Sequence, residues 1–200
     1  VLSAAALAVG GTSLAQGTAQ TPTAPLRRGA ARRARPMTAN EEAAAARAVA
    51  ASIADQTGEP VHPAVGRMPQ ISRRFNTFDG AEYSEARARG KLLMVYYWAS
   101  WCPVCKLVSP RLHEFWLRHR GAGVEVLALS VDSAITPAVA AIERAGYRFP
   151  AAMATTAGLD DYMMARSLPT LMVRSRRGVI VSVDEGDIEA DEFQDYLVHL

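Results

Sequence analysis

Cysteine is scarce in this chain: 200 residues hold only Cys102 and Cys105. With no second cysteine pair, a zinc site of about four ligands is excluded. His62, His113, His119 and His199 share no metal-ligand spacing and read as solvated histidines, so no metal site is expected. No internal repeat and no glycine-rich nucleotide loop is present. Long apolar runs are missing too: Leu2 to Leu14 is interrupted at Gly10, Gly11, Thr12 and Ser13 and falls short of the ~20 residues of a membrane-spanning helix. Charge of one sign is also lacking, since 22 basic and 20 acidic residues leave a net +2 that argues for no particular partner.

What is present concentrates between Lys91 and Pro110, KLLMVYYWASWCPVCKLVSP. Lys91 to Trp98 is an apolar run rich in β-branched and aromatic residues, which fits a strand buried on both faces. Ala99 and Ser100 make a corner. From Val104 the apolar positions Leu107, Val108, Leu112, Phe115 and Trp116 recur every three or four residues, so a helix is expected to begin at the cysteines, with Pro103 in its first turn. Unpaired amides and the positive end of the helix dipole favour thiolate there, the nucleophilic form of cysteine. Cys102 is accordingly the candidate attacking sulfur and Cys105, three residues on, the resolving partner. A plain stapling disulfide or two core cysteines is the other reading of these residues.

The segment WASWCPVCKLVSP resembles the active-site stretch of the thioredoxin superfamily, and SLPTLMV at Ser167 to Val173 resembles its second signature, a loop with a cis-proline at Pro169. The helix and strand between the two signatures resemble the TlpA/ResA-like branch of thiol-disulfide oxidoreductases, over roughly Ile71 to Leu200. The resemblance implies an α/β thioredoxin-like mixed sheet with flanking helices and an extra helix-strand insert before the cis-proline loop. It implies that Leu168 and Pro169, with Trp101, Pro103, Val104 and Gly186, frame a groove for a peptide partner, and that Trp98 packs in the core. Client protein thiols or disulfides are the implied partners, with a membrane thiol as possible electron donor and a monomer as the working expectation. No cofactor is implied beyond the redox-active Cys102–Cys105 disulfide.

Elsewhere the chain is read in order. Residues 1–15 fit the apolar core and small-residue cleavage site of a secretory signal, with cleavage after Ala15; a disordered Ala/Gly leader is the alternative. Residues 16–70 are read as a linker with one helix. Arg27, Arg28, Arg32, Arg33 and Arg35 have no acidic residue among them and form a solvated basic tail, with no nucleic-acid partner expected. Thr38 or Asn40 caps an alanine-rich helix running to about Asp55. Residues 71–200 form the thioredoxin-like domain. It begins with a hairpin or extended edge around Asp79-Gly80 and a polar helix over Glu82–Arg89. Strands are expected at Val124–Val131, Phe149–Ala154, Thr170–Val173 and Val179–Val183, and helices at Thr136–Ala145, Leu159–Arg166 and Ile188–Leu200.

Three departures from the family carry chemical weight. Thioredoxins hold a buried aspartate six residues before the first cysteine, where this chain has Tyr96; many TlpA/ResA-like proteins hold a glutamate three residues after the second, where it has Val108. The lysine of the second central strand falls at Ala128. Without these proton-handling groups, Cys105 is expected to have a raised pKa and to resolve mixed disulfides slowly unless water, Tyr96 or Glu185 substitutes. The C-P-x-C order resembles the oxidising DsbA-like enzymes, but Val104 stands in place of their histidine, and Lys106 adds only a screened charge. A potential between roughly −270 and −120 mV is therefore expected. Export would put the chain in the periplasm, as a reductant of specific clients in cytochrome or copper-protein maturation. An oxidase or isomerase, or a redox-inert binding module with a structural disulfide, remains an alternative.

Overall fold

The computed structural model describes residues 35–58, 60–69, 74–154 and 167–200. The signal-like segment, most of the arginine-rich stretch and the helix expected over Leu159–Arg166 lie outside them. Residues Pro36–Leu200 form one compact unit.

Its frame is a five-stranded sheet built from β3 (Leu92–Trp98), β4 (Val124–Ser130), β5 (Ala151–Met153), β6 (Thr170–Arg174) and β7 (Ile180–Glu185), in the order β5-β4-β3-β6-β7. The sheet is mixed: β3 pairs parallel with β4 and antiparallel with β6, β4 parallel with β5, and β6 antiparallel with β7. Every residue of β3 and β4 is buried, as continuous apolar runs require when both faces of a sheet are covered. Alternation divides them between two cores. Leu92, Met94, Tyr96 and Trp98 join Val124, Val126 and Ala128 against α3 (Cys105–His119), through its Val108, Leu112, Phe115 and Trp116. Leu93, Val95 and Tyr97 join Leu127 and Leu129 on the opposite face, against Phe75 and Tyr83. Glu125, buried on β4, accepts from Arg87 and Lys91 at 3.1 and 2.7 Å, so its buried charge is paired.

Phe75 and Tyr83 come from a hairpin, β1 (Arg74–Asn76) with β2 (Glu82–Ser84), turned at Asp79-Gly80. The helix expected over Glu82–Arg89 shrinks to α2 (Glu85–Ala88), because Glu82–Ser84 is claimed by pairing with β1 while Tyr83 is buried. After α3, a 3-10 turn at Arg120–Ala122 leads into β4, and α4 (Ile135–Ala145) ends at Gly146, which takes a positive φ of 67°. β5 is shorter than the run Phe149–Ala154, since Pro150 can offer only its carbonyl, which accepts from Ala128. The closing helix expected over Ile188–Leu200 is α-helical only in α5 (Glu192–Asp195), and a 3-10 turn follows at Tyr196–His199. Phe193 and Tyr196 are both buried, and a three-residue spacing aligns them better in the tighter helix.

The largest correction concerns the expected linker. Thr38 and Glu41 form a reciprocal capping box at the start of α1 (Ala39–Thr57), worth about 1 kcal/mol. This helix packs against β7 within the same unit as the sheet, so the domain does not begin at residue 71. Glu42, buried, accepts from the Ser175 hydroxyl at 2.9 Å and pairs with Arg177 at 3.2 Å. Arg47 donates to the Gly66 carbonyl at 2.9 Å. Polar bonds from a few longer side chains supply what the alanine face lacks in area.

Candidate functional site

Parallel pairing of β3 and β4 brings the carboxyl ends of both strands to one edge, so the corners that follow them meet. Val131 donates its amide to the Trp98 carbonyl at 2.9 Å. Asp132 then accepts from the Ser100 amide at 2.9 Å, the Ser100 hydroxyl at 2.7 Å and the Ser130 hydroxyl at 2.7 Å. The buried carboxylate thus fixes the Ala99-Ser100 corner from the side, two residues before the first cysteine.

Trp101 follows, 63% exposed, while Trp98 is buried in the core. Cys102 and Cys105 are disulfide-bonded with their Cα atoms 5.3 Å apart. α3 begins at Cys105, one turn later than the sequence suggests, and Cys102, Pro103 and Val104 form the turn that leads in. The Cys105 amide donates to the Cys102 sulfur at 3.1 Å. A helix-start amide without an intrahelical partner is thereby aimed at Cys102, where it favours negative charge on that sulfur. Both cysteines are nearly enclosed in this disulfide state, at 3% and 1% exposure.

In the second signature the Leu168–Pro169 peptide bond is cis. The Gly186 amide donates to the Pro169 carbonyl at 2.9 Å, from a residue whose φ of 90° favours glycine. The Thr170 hydroxyl donates to the Ser167 carbonyl at 2.7 Å, and the Ser167 hydroxyl to Glu185 at 3.1 Å. Glu185 is thus engaged at the proline loop. Arg111 links α3 to the residues after β7, donating to Asp187 at 2.7 Å and to the Ile188 carbonyl at 3.0 Å. Pro103 is exposed; Val104 and Leu168 are half-buried and pack against the core cluster beside α3.

Around Cys105 the three substituted positions are all interior. Val108 and Ala128 are fully buried and apolar. The Tyr96 hydroxyl lies 3.0 Å from the Ser109 hydroxyl and 3.4 Å from the Cys105 carbonyl oxygen. Burial pushes the Tyr96 phenol far above its usual range, so it stays protonated near neutrality. Sequence reasoning read Ser100 only as part of a corner and gave Ser109 and Asp132 no role at the site. For Ser109 a signal existed: it is a hydroxyl four residues beyond Cys105, on the same helix face. Among the described residues, no group of three or more His, Cys, Asp or Glu side chains assembles a metal site.

The AhpC/TSA family matches residues 67–189. The chain is similar to proteins named thiol-disulfide oxidoreductase ResA. That of Oceanobacillus iheyensis is 26% identical over 128 residues, 64% of this chain and 67% of that one. That of Halalkalibacterium halodurans is 22% identical over 119 residues, 60% and 68% of the two chains. The aligned part thus spans about two thirds of these relatives. Among solved structures, a thiol:disulfide interchange protein of the thioredoxin family from Chlorobium tepidum superposes with a TM-score of 0.62 at 23% identity, over 66% of this chain and 94% of that one. StoA from Bacillus subtilis gives 0.57 at 21% identity, over 68% and 99%. These likenesses fix the fold as thioredoxin-like.

Proposed function

Since this chain belongs to the AhpC/TSA family, within the thioredoxin superfamily, we propose that it is a thiol-disulfide oxidoreductase working through Cys102 and Cys105. The observation that carries this reading is the Cys105 amide directed at the Cys102 sulfur, which makes two chemically identical thiols unequal. In the reducing direction the Cys102 thiolate attacks a client disulfide; one client sulfur leaves as thiolate and takes a proton. Cys105 then loses its proton and attacks Cys102, releasing the second client thiolate and leaving the protein disulfide. Two electrons have passed to the client, and a membrane thiol donor restores the dithiol. Trp101, Pro103, Val104, Leu168, Pro169 and Gly186 are the residues this reading assigns to client binding; the exposed indole of Trp101, next to Cys102 in the chain, supports it.

The client class is a specific exported protein of the cytochrome or copper-protein maturation kind. The small-residue apolar segment Leu2–Leu14, followed by Ala15, supports export to the periplasm. Among the described residues no helix is long and apolar enough to cross a membrane.

The test is the equilibrium reduction potential of the pair in a glutathione series, read by thiol trapping. A value below about −200 mV supports the reductant, and one near −120 mV supports an oxidase or isomerase. A pair that reduces only on unfolding sinks both and leaves a structural staple.

A further inference from the structure

A groove of about 500 Å³ opens between α3 and α4 and reaches the back of the disulfide. Trp98, Ser100, Cys105, Ser109, Arg144 and Tyr147 are among its walls, and Cys102 is not. At ~30 Å³ of liquid per water molecule, the space admits several waters. It brings solvent to the resolving cysteine. Among the described residues no carboxylate lines it. The charged and titratable groups near Cys105 are Lys106 on α3, Arg144 and Tyr147 on and after α4, Tyr96 on β3, and Asp132 after β4, which is engaged by Ser100 and Ser130.

The hydroxyl pair beneath the groove has a direction. Tyr96 has one proton and two acceptors within reach, Ser109 at 3.0 Å and the Cys105 carbonyl at 3.4 Å. The shorter contact is the stronger bond, so the phenol proton goes to Ser109. Ser109 then keeps its own O–H free to point into the groove. It stands one helical turn beyond Cys105, where side chains four apart are neighbours. Neither hydroxyl can serve as a base near neutrality, because burial holds the phenol protonated and an alcohol is not acidic.

We propose that Tyr96 and Ser109 replace the missing carboxylate by a different device: a hydrogen-bond donor that stabilises the Cys105 thiolate and orders the groove water that removes its proton. The inference rests on the redox reading above and deepens it. In the resolving step the Cys105 S–H bond breaks with its proton passing to groove water. The Cys105–Cys102 S–S bond forms as the bond from Cys102 to the client sulfur breaks, and the client thiolate takes up a proton. Ser109 and Tyr96 act as positioning residues and exchange no electrons.

Reduced protein mixed with excess dithiobis-nitrobenzoate, followed by stopped flow across pH, separates the steps. The first thionitrobenzoate released reports attack by Cys102, and the second reports resolution by Cys105. Ser109→Ala is expected to slow the second phase about tenfold at neutral pH and move its pH profile up by about one unit, with the first phase unchanged. Tyr96→Phe shifts it the same way by less, and Ser109→Thr restores it. An unmoved second-phase profile in Ser109→Ala overturns the inference, as does equal slowing of both phases. A larger shift in Arg144→Gln than in Ser109→Ala overturns it in favour of net charge. If the reduced wild-type protein releases no thionitrobenzoate at all, the redox reading falls and takes the inference with it.

Discussion

The two sulfurs lie one bond apart in the same fold, yet their surroundings are built on opposite principles. Cys102 sits before the first turn of α3, receives an amide hydrogen bond, and follows an exposed indole in the chain. Cys105 opens the helix in the same buried cluster as Val108, Ala128 and Tyr96, with the Tyr96 and Ser109 hydroxyls beside it. One site favours a charge by exposing backbone donors to it; the other leaves the charge to side-chain hydroxyls. A helix-start amide is enough to make the two sulfurs unequal.

The comparison is broken most completely by removing either sulfur. Cys102→Ser is expected to abolish disulfide exchange. Cys105→Ser should instead accumulate a stable mixed disulfide with a client, visible as a reductant-sensitive adduct on gels. Trapping by Cys102→Ser and not by Cys105→Ser would reverse the assignment. Next in size, Asp132→Ala strips the acceptor from the Ser100 amide and two hydroxyls near Cys102. With each buried unsatisfied donor costing about 1–3 kcal/mol, partly relieved by relaxation, urea denaturation is expected to show a loss of about 2–4 kcal/mol.

A smaller change sharpens the contrast: Val104→His places an ionisable cation at the start of α3. When protonated it favours the Cys102 thiolate, stabilises the dithiol form, and raises the potential by about 30 mV, equivalent to ~1.4 kcal/mol. Equilibration with glutathione reads this directly, and no change would mean that the imidazole does not reach the sulfur.

The smallest effect is a titration that should leave the sulfurs alone. His113, two turns beyond Cys105, stacks among Trp116, Tyr147 and Phe149 and accepts the Arg148 amide at 3.2 Å through Nε2. Burial, aided by the Arg148 charge, lowers its pKa. A depressed histidine stabilises the fold fully above its ordinary value of about 6.5, and that contribution is lost as pH falls through the folded value. Between neutral pH and pH about 5, the urea midpoint of wild type is thus expected to drop more than that of His113→Phe, with the thiol reactivity ratio unaffected. Asp184, whose carboxyl burial pushes the other way, is common to both proteins and cancels in the difference.

The central strands, the hairpin turn and the cysteine helix were legible because their signals are local: continuous apolar runs, Asp79-Gly80, and a helical repeat after Val104. The sulfur pair was legible for the same reason. What the sequence hid depends on meetings between distant segments. Tyr96 finds Ser109 only when α3 lies across β3, and Asp132 finds Ser100 only when β3 and β4 run parallel. The docking of α1 was hidden because its apolar face is weak and its polar bonds, from Glu42 and Arg47, reach residues far along the chain. The short α2 and α5 were overestimated because a helical pattern does not reveal that a neighbouring strand or a buried aromatic pair claims the same residues.

β3 is hydrogen-bonded along both edges, to β4 and to β6. Amides so placed exchange with deuterium only when the whole domain opens, whereas loops and helix ends exchange through local opening. Val95 to Trp98 should accordingly belong to the last group to acquire deuterium. The corner that presents the sulfurs is mounted on the end of this slowest element, so passage between dithiol and disulfide runs against a fixed anvil and waits on no folding step.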